Sequence, residues 1–287
     1  MIQRVLCAIV VTGAICAAPA AAAPFTFNNG NVDGRFATAT RPDVAGQFEI
    51  ESADDFVLGD ETRIGSASFI GLLPAGATIG SISEVVVEIY RVFPLDSTVP
   101  PSGRVPTRTN SPSDVALDSR DSAAASLTFS ASVLSGSVSA ANSILPGGIH
   151  ASPNQTTGGS GAVSGEEVRI DATLSTPFDL AAGHYFFVPQ VSLSGAGLSF
   201  LWLSSVRPIV APGTPFTPDL QAWVRDAALD PDWLRAGTDV VGGSTPPTFN
   251  LAFSLAGETI PAVPEPETWA LMLAGLAAIG FQRRGRS

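Results

Sequence analysis

The sequence contains no lysine, and all 15 of its basic residues are arginine. Schiff-base catalysis, a Walker A phosphate loop and a kinase-type phosphate site each need a lysine ammonium group, so these three are excluded. Charged residues make up only 14% of the 287 residues, against ~25% in an average soluble protein. The formal net charge is −11. Because nucleic-acid binding depends on neutralising phosphates with basic side chains, this charge argues against a nucleic-acid partner, and we expect none.

Cysteine and histidine are scarce, with two residues of each. Cys7 and Cys16 both precede residue 24, so the rest of the chain has no thiolate nucleophile, disulfide or cysteine zinc site. His150 and His184 are scattered, and no Gly-x-Ser-x-Gly elbow is present. The sequence therefore names no catalytic residue, and we expect a protein that is not an enzyme.

The N-terminal segment has the order of a secretory signal peptide. Arg4 supplies a positive charge, residues 5–18 form an apolar run, and alanines follow in an Ala-x-Ala pattern up to Ala23. A retained membrane helix is disfavoured because the run is too short and no stop-transfer segment follows. We predict a signal peptide over residues 1–23, cleaved after Ala22 or Ala23.

The C-terminal tail has three parts. They are the triplet Pro264, Glu265 and Pro266, the uncharged run 269–281, and a basic group of Arg283, Arg284 and Arg286. As a helix, the run spans about 20 Å, less than the ~30 Å hydrocarbon core of a bilayer. Trp269 can lie at one interface, with the arginines on the cytoplasmic side. Because the run has no polar face, a buried core helix is disfavoured, and we predict a short transmembrane helix.

This three-part order resembles the PEP-CTERM sorting signal of Gram-negative bacteria, over residues 263–287. The resemblance implies recognition by exosortase, a membrane-embedded, transpeptidase-like cysteine enzyme. It also implies cleavage near the Pro-Glu-Pro triplet and delivery of the body to the cell surface or to an exopolysaccharide (biofilm) matrix. The body is similar to the β-rich secreted domains that commonly precede such tails, through residues 53–58 and 218–241. The resemblance of the body to these domains implies no particular biochemical activity.

Residues 24–262 are predicted to form a secreted, all-β domain, a jelly-roll-like β-sandwich with long loops. Apolar and polar residues alternate over 168–175 and 248–255, as in a sheet with one wet face, and 82–93 is typical of a central strand. The same criteria predict further strands at 46–51, 54–58, 63–70, 126–134, 184–193 and 197–205.

The remaining segments of the body are predicted as helices or loops. Short helices are expected at 219–228 and 231–236, the second opening on Pro231 and ending before Gly237. The polar stretch 94–125 is interpreted as a surface excursion or a mobile flap, and 151–165 as an exposed loop. Two small β domains meeting near residue 125 are the alternative to a single sandwich.

One segment has the spacing of a calcium loop. Asn29, Asn31 and Asp33 offer oxygen ligands at positions 1, 3 and 5, and Gly34 follows at position 6. Position 12 is Thr40 rather than glutamate, so Glu49, Glu51, Asp54 or Asp55 would have to supply the missing carboxylate. Asx and glycine turns are the alternative interpretation of the segment, and they are favoured. No cofactor other than this Ca²⁺ is considered.

Paired acidic residues are a second candidate for chemistry. Asp54 and Asp55 are adjacent, so in a strand they point to opposite faces and cannot share one proton. We expect them to accept backbone N–H groups instead. Glu166 and Glu167 are interpreted as a solvated strand end.

Tryptophan faces can stack on sugar rings, so Trp223 and Trp233 are candidate glycan contacts. Docking of short helices on the sandwich explains them equally well, and Trp202 is expected in the core. Together these observations favour an exported, non-enzymatic surface or matrix protein with an adhesive or structural body. The alternatives are a secreted carbohydrate-active hydrolase using two acidic residues, and a calcium-dependent glycan-binding module.

Overall fold

A computed structural model describes residues 22–44, 46–149, 155–195, 197–207, 220–261, 272–277 and 279. Ala23–Ile260 form one compact unit. The described residues of this unit contain 14 strands, a 3-10 turn at Ile79–Ser81 and a π-helical turn at Ala236–Val241. The strands are β1 (Pro24–Asn28), β2 (Val32–Ala39), β3 (Ile50–Leu58), β4 (Thr62–Pro74), β5 (Ile82–Arg91), β6 (Asp118–Asp121), β7 (Leu127–Ala140), β8 (Asn142–Ile144), β9 (Val163–Leu180), β10 (Gly183–Leu193), β11 (Leu201–Ser205), β12 (Trp223–Asp226), β13 (Leu234–Arg235) and β14 (Phe253–Thr259).

The strands form two sheets. In the first sheet, β4 lies between β9 on one side and both β14 and β11 on the other; β7 follows β9, β1 follows β14, and β2 and β8 follow β11. The second sheet has the order β13-β12-β3-β10-β5-β6. Only β2 and β8 pair in parallel among these strands. The predicted all-β class is confirmed, whereas the jelly-roll connection stays a prediction.

The inner faces of the two sheets meet in one apolar core. Phe187 of β10 packs on Trp202 of β11 and on Phe253 of β14, with ring centroids 5.9 and 4.9 Å apart. The alternation predicted in β9 holds, since Val168, Ile170, Ala172 and Leu174 are all buried there. Burying one face of each sheet supplies the main apolar contribution to stability.

Several strand bounds differ from the sequence-based ones. Residues 50–51 of the strand predicted at 46–51 and the whole strand predicted at 54–58 belong to one strand, β3, whereas residues 46–49 are not in a strand. The strand is continuous because residues 50–53 pair with β12 and residues 54–58 pair with β10. Predicted strand 248–255 begins later, at Phe253, although Phe249 and Leu251 are buried as expected. Strands β1, β2, β6 and β8 were not predicted, because they are short or rich in polar residues and glycine.

Both predicted helices are wrong. Residues 219–228 contain β12, in which Trp223 and Val224 pair with Ala53 and Ser52 of β3. Residues 231–236 contain β13, which pairs with β12. Hydrogen bonding to an existing sheet edge overrides the local helix propensity of these short segments.

The polar stretch 94–125 is a packed excursion. Asn110, Ser111, Ser113 and Asp114 are buried, and β6 extends the second sheet from β5. It is therefore not an open flap. In the other predicted loop, β9 already begins at Val163, while residues 151–154 lie outside the described residues.

The two predicted signals fall mostly outside the described part of the chain. Residues 1–21, the Pro-Glu-Pro triplet, Trp269 and the terminal arginines are among the residues not described. Residues 272–277 and 279 are helical, and they expose Met272, Leu273, Leu276 and Ile279. Among the residues that can be described, no helix has the length and apolarity needed to cross a membrane.

Candidate functional site

The outer face of the second sheet is buried, which is unusual for an antiparallel sheet at a domain surface. A second apolar cluster lies on this face. It includes Tyr90, Phe186 and Trp223, which are on β5, β10 and β12 and point away from the main core, and Trp233, which directly precedes β13. Segment 92–117 contributes Val92 and Ala116 to it. We call this the outer-face cluster. Charged groups within it are removed from water, so their pairing decides their protonation.

Three carboxylates converge on the outer-face cluster. One carboxylate oxygen from each of Glu49, Glu51 and Glu88 lies within 4.8 Å of the other two. Strand order brings them together, because β10 lies between β3 and β5, so that Glu51 and Glu88 flank it from either side. Gln190 of β10 donates its Nε2 to Glu49 Oε1 over 3.0 Å.

Arg225 of β12 neutralises much of this negative charge. Its Nε donates to Glu51 Oε2, and its Nη1 lies 2.9 Å from Asp230 Oδ1. Its Nη2 donates to the Tyr90 hydroxyl over 2.9 Å. That hydroxyl lies 2.8 Å from Glu51 Oε1 and 3.1 Å from Glu88 Oε2. The phenol therefore links two of the three carboxylates to the guanidinium group.

The protonation of these groups follows from burial and from their neighbours. Burial, and then the charges of Glu51 and Glu49, raise the pKa of Glu88 to about 8. Burial also raises the pKa of Glu49 and of the Tyr90 phenol. Burial is the largest single influence on Arg225 and would lower its pKa, but Glu51, Tyr90 and Asp230 together outweigh it and the pKa is raised. At neutral pH the cluster holds a proton on Glu88 beside a charged arginine.

Among the described residues, these three carboxylates are also near enough to one another to hold a metal ion, and carboxylate oxygens are ligands that a hard cation prefers. Glu51 is already engaged by Arg225, and Glu88 is protonated at neutral pH. The chemistry available to the group as it stands is therefore proton storage and structural pairing.

A second ion-pair group fastens the excursion to the sheet. Arg108 pairs with Asp114 and, through a 2.7 Å contact, with Asp232. Its guanidinium carbon also lies 4.5 Å from the centre of the Phe93 ring. All three charged side chains are at least nine-tenths buried. Such pairs fix the position of a segment more than they add stability.

A cavity of about 300 Å³ lies beside this group, with Asn110, Gln221 and Trp223 in its walls. This is the lower end of the volume range of small-molecule pockets. Asn110 Oδ1 and Trp223 Nε1 are buried and have no hydrogen-bond partner among the described residues. The walls of the cavity are partly polar and partly apolar, and the cavity lies beside Trp223, the first residue of β12.

The two adjacent aspartates behave as the sequence predicts. Asp54 Oδ2 accepts the Leu251 N–H over 2.7 Å, and Asp55 Oδ1 accepts the Leu220 N–H over 2.9 Å. Asp55 Oδ2 also lies 2.6 Å from Nε2 of the buried His184. The expectation that both carboxylates bind backbone N–H groups is confirmed.

The candidate calcium ligands have different surroundings. Asn29 is buried and donates Nδ2 to Asp54 over 2.6 Å, while its Oδ1 accepts from Arg207. Asp33 accepts the Arg35 N–H over 2.9 Å, and Asn31 is exposed. The bond to Asp33 is that of the Asx turn in the alternative interpretation, whereas Asn29 is held by residues distant in the sequence. A calcium ion at this place stays a prediction.

The tryptophans are buried. Trp202 is in the main core, as expected, and donates Nε1 to Ala252 O over 2.9 Å. Trp223 and Trp233 are only 2% and 1% exposed. Stacking on a sugar needs an open indole face, and neither residue presents one. The alternative explanation, that these tryptophans dock short helices on the sandwich, is also wrong, because the predicted helices are absent from the described residues and Trp223 lies on β12.

Two further candidates are placed differently. Glu166 and Glu167 lie within β9, opposite Leu73 and Leu72 of β4, and are half-buried rather than at a free strand end. His150 lies outside the described residues. The sequence analysis missed Glu88, Tyr90 and Arg225 as a site. The one available signal was polar residues at alternate positions of the apolar run 82–93.

A comparison with known protein families identifies the tail. No curated protein matches the chain. The family described as the PEP-CTERM protein-sorting motif matches residues 262–287, which confirms the resemblance seen in the sequence. The chain therefore carries a PEP-CTERM sorting signal, which marks it as an exported substrate of exosortase that is delivered to the cell surface or the extracellular space.

Proposed function

We propose that the body is a non-catalytic adhesive or structural protein of the cell surface or exopolysaccharide matrix, freed from its tail by exosortase. The observation that carries this proposal is the sorting motif at residues 262–287, outside the compact unit Ala23–Ile260. The last strand, β14, ends at Thr259, and Ile260 donates its N–H to Glu61 O. A cut near Pro264 therefore leaves every strand of the body intact.

Before the cut, the proposed anchor is the helix predicted at 269–281. Its apolar side chains would lie in the bilayer, with Arg283, Arg284 and Arg286 at the cytoplasmic surface. A helix this short anchors through its apolar length and its basic end together, which suits a segment that is held briefly and then removed. Signal-peptide cleavage after Ala22 or Ala23 would free the other end.

The state of the buried acids supports a non-catalytic body. Glu51 is engaged by Arg225 and by the Tyr90 hydroxyl, and Asp54 and Asp55 accept backbone N–H groups. These three carboxylates therefore make the bonds of a structural role, since their oxygens are bound to groups of the fold itself.

A secreted hydrolase is the second candidate, and one observation favours it. Glu51 and Glu88 have carboxylate oxygens within 4.8 Å, near the ~5 Å separation of carboxyl groups in retaining glycosidases. The raised pKa of Glu88 would suit a general acid. Glu88→Gln would abolish release of reducing ends from exopolysaccharide if this candidate were right. We expect no such release from the unchanged protein.

The sorting step is tested by replacing Pro264, Glu265 and Pro266 with alanine and measuring the intact mass of the surface form. We expect the unchanged protein to lack Trp269 and everything after it, and the variant to retain both. Glu258→Ala, an exposed change in β14, is the matched control and should be processed normally. An unchanged protein that reaches the surface with Trp269 still attached would overturn the proposal.

The matrix role needs a separate measurement. The washed exopolysaccharide fraction should retain the processed body, and a glycan array should show binding by residues 24–262, assayed with and without calcium. A body recovered only in the culture medium, with no glycan bound, would contradict adhesion while leaving sorting untouched.

A further inference from the structure

Strand β7 (Leu127–Ala140) forms an open edge of the first sheet. It pairs with β9 on one side, and no strand in the described residues pairs with its other side. The turn Ile79–Ser81 and strand β2 approach it, and Gly34 of β2 lies beside its C-terminal end, where Ala141 donates its N–H to Gly34 O. Thr128, Ser130 and Ser132 are exposed. One face of this edge strand is therefore open to solvent along its first half.

The register shows which backbone groups point outward. Ser175 donates its N–H to Ser126 O over 2.9 Å, one position before the pairing of Leu127 with Leu174 begins. Backbone groups alternate along an antiparallel strand, so even-numbered residues face β9. Residues 127, 129, 131 and 133 consequently turn their N–H and C=O outward. Within the described part of the chain, these groups have no hydrogen-bond partner.

The regular part of this edge is seven residues long. Pairing with β9 is in register from Leu127 to Val133, and it shifts first between Val133 and Ser135 and again between Ser135 and Val138. Such bulges bend a strand and stop pairing along its edge. Any partner strand is thus confined to residues 127–133.

The occupant that fits this edge best is a second copy of the same edge. No charged residue occurs in Leu127–Ala140, although the chain as a whole carries a net charge of −11. Two copies can therefore meet here without the like-charge repulsion that opposes contact elsewhere. The edge strand β6 differs, because it carries Asp118, Arg120 and Asp121. Edges without charge or proline are the ones that recruit another strand.

We propose that two copies of this chain associate through β7, antiparallel, about a two-fold axis at Ser130. Ser130 then lies opposite Ser130 of the second copy, and Phe129 lies opposite Ala131. The outward backbone groups of residues 127, 129, 131 and 133 form the new hydrogen bonds, and the first sheets of both copies become one continuous sheet. An interface of this kind uses one patch twice, as two-fold dimers do.

Side chains on both faces are compatible with this pairing. On the outer face, Thr128 meets Ser132 of the second copy, and hydroxyl pairs of this kind are favourable across strands. On the inner face, Phe129 and Ala131, which pack partly against the core, extend the apolar layer across the axis. The inference rests on β7 alone and does not depend on sorting or on the matrix role.

Cysteine cross-linking gives the sharpest test, because Cys7 and Cys16 are the only cysteines in the chain. In the full chain with both changed to serine, we would introduce Ser130→Cys and oxidise mildly. The two Ser130 positions form a non-hydrogen-bonded pair, whose close side chains suit a disulfide. We expect rapid formation of a covalent dimer, at least tenfold faster than with Thr173→Cys. Thr173 is exposed on the same sheet, opposite Thr128 but one strand inward.

Two mixtures test the register. Thr128→Cys alone should not cross-link, whereas Thr128→Cys mixed with Ser132→Cys should. Cross-linking of Ser130→Cys no faster than the Thr173→Cys control would overturn the dimer. Rapid cross-linking of Thr128→Cys alone would overturn the axis at Ser130.

A charge exchange tests the same contact without thiol chemistry. Ser130→Lys and Ser130→Asp should each sediment as monomers, because two like charges meet at the axis, and their mixture should recover the dimer. Thr173→Lys should remain dimeric. If the unchanged chain is monomeric at micromolar concentration, or if Ser130→Lys leaves it dimeric, the proposal is wrong.

Discussion

The guanidinium carbon of Arg225 lies 4.3 Å from the centre of the Trp233 indole. The same guanidinium pairs with Glu51 on β3 and contacts the Tyr90 hydroxyl. The Arg225 side chain thus joins β12 and β3 to Trp233, which lies in the segment between β12 and β13 and packs on the outer face of the second sheet. This arrangement helps to bury that face, and we therefore expect the protein to be sensitive to replacement of Arg225.

Replacing Arg225 with methionine should destabilise the protein severely. The change keeps an unbranched side chain over Trp233 but leaves the buried Glu51 without its partner, which typically costs about 3–5 kcal/mol. Chemical denaturation monitored by tryptophan fluorescence measures the free energy of unfolding. Adding Glu51→Gln should restore part of the loss, since the uncompensated charge is then removed. Arg169→Ala, which breaks the exposed pair with Asp171, is the control and should cost less than about 1 kcal/mol. Equal losses for Arg225 and Arg169 would contradict the assigned role.

Stability should fall as the pH rises from about 4.5 to about 8. Glu88 has a pKa of about 8 in the folded protein and an ordinary value near 4.5 when unfolded. Between these values the folded state binds more protons than the unfolded state, so raising the pH favours unfolding. Calorimetric melting temperatures at a series of pH values should decline across this window, and Glu88→Gln should flatten the decline. Glu61→Gln, an exposed change, should leave the slope as it is. A Glu88→Gln variant with an unchanged slope would show that another group controls the effect.

Removal of calcium should leave the melting temperature unchanged. Asn29 Oδ1 accepts from the Arg207 guanidinium, so a cation would have to displace an existing positive group there. Asn29→Ala should instead lower stability by about 1–3 kcal/mol with or without calcium, because buried hydrogen bonds to Asp54 and to Leu251 O are lost. Asn31→Ala, at the exposed position, is the control. A large fall in melting temperature on chelation would restore the calcium interpretation.

Gly71 should not tolerate a methyl group. A Cβ at this position would meet the Phe200 ring and would lie 2.5 Å from Leu201 O, where β4 meets β11. Backbone has to shift to relieve this, and we expect Gly71→Ala to cost about 1–3 kcal/mol in the free energy of unfolding. Gly65 lies in the same strand with open space around its Cβ position, so Gly65→Ala should be close to neutral. Comparable stability of the two variants would mean that β11 adjusts freely.

The strands that bury one face were predictable. In β9 the apolar residues recur at every second position, and this period is visible without knowing what packs against it. Asp54 and Asp55 could also be assigned correctly, since adjacent residues of a strand must point to opposite faces. In both cases the prediction depends on the geometry of a single strand.

The outer face could not be predicted in the same way. Whether Trp223 belongs to a helix or a strand depends on the free edge of β3, which offers backbone hydrogen bonds to whatever segment reaches it. The convergence of Glu51, Glu88 and Arg225 requires the order of β12, β3, β10 and β5 in the sheet. Local propensity predicts neither the conformation of the Trp223 segment nor this convergence, because pairing between distant segments outweighs it.

The amino-acid order alone determined the all-β class, the exclusion of lysine chemistry and the sorting tail. The sorting tail is recognised by another protein as a short linear motif. Its function can therefore be predicted from the sequence without knowledge of tertiary contacts. Only the tertiary structure decided that Trp223 and Trp233 are buried, that Glu88 keeps a proton at neutral pH, and that β7 ends the first sheet. Each of these depends on which distant strands become neighbours, and desolvation and strand pairing act only once those neighbours are in place.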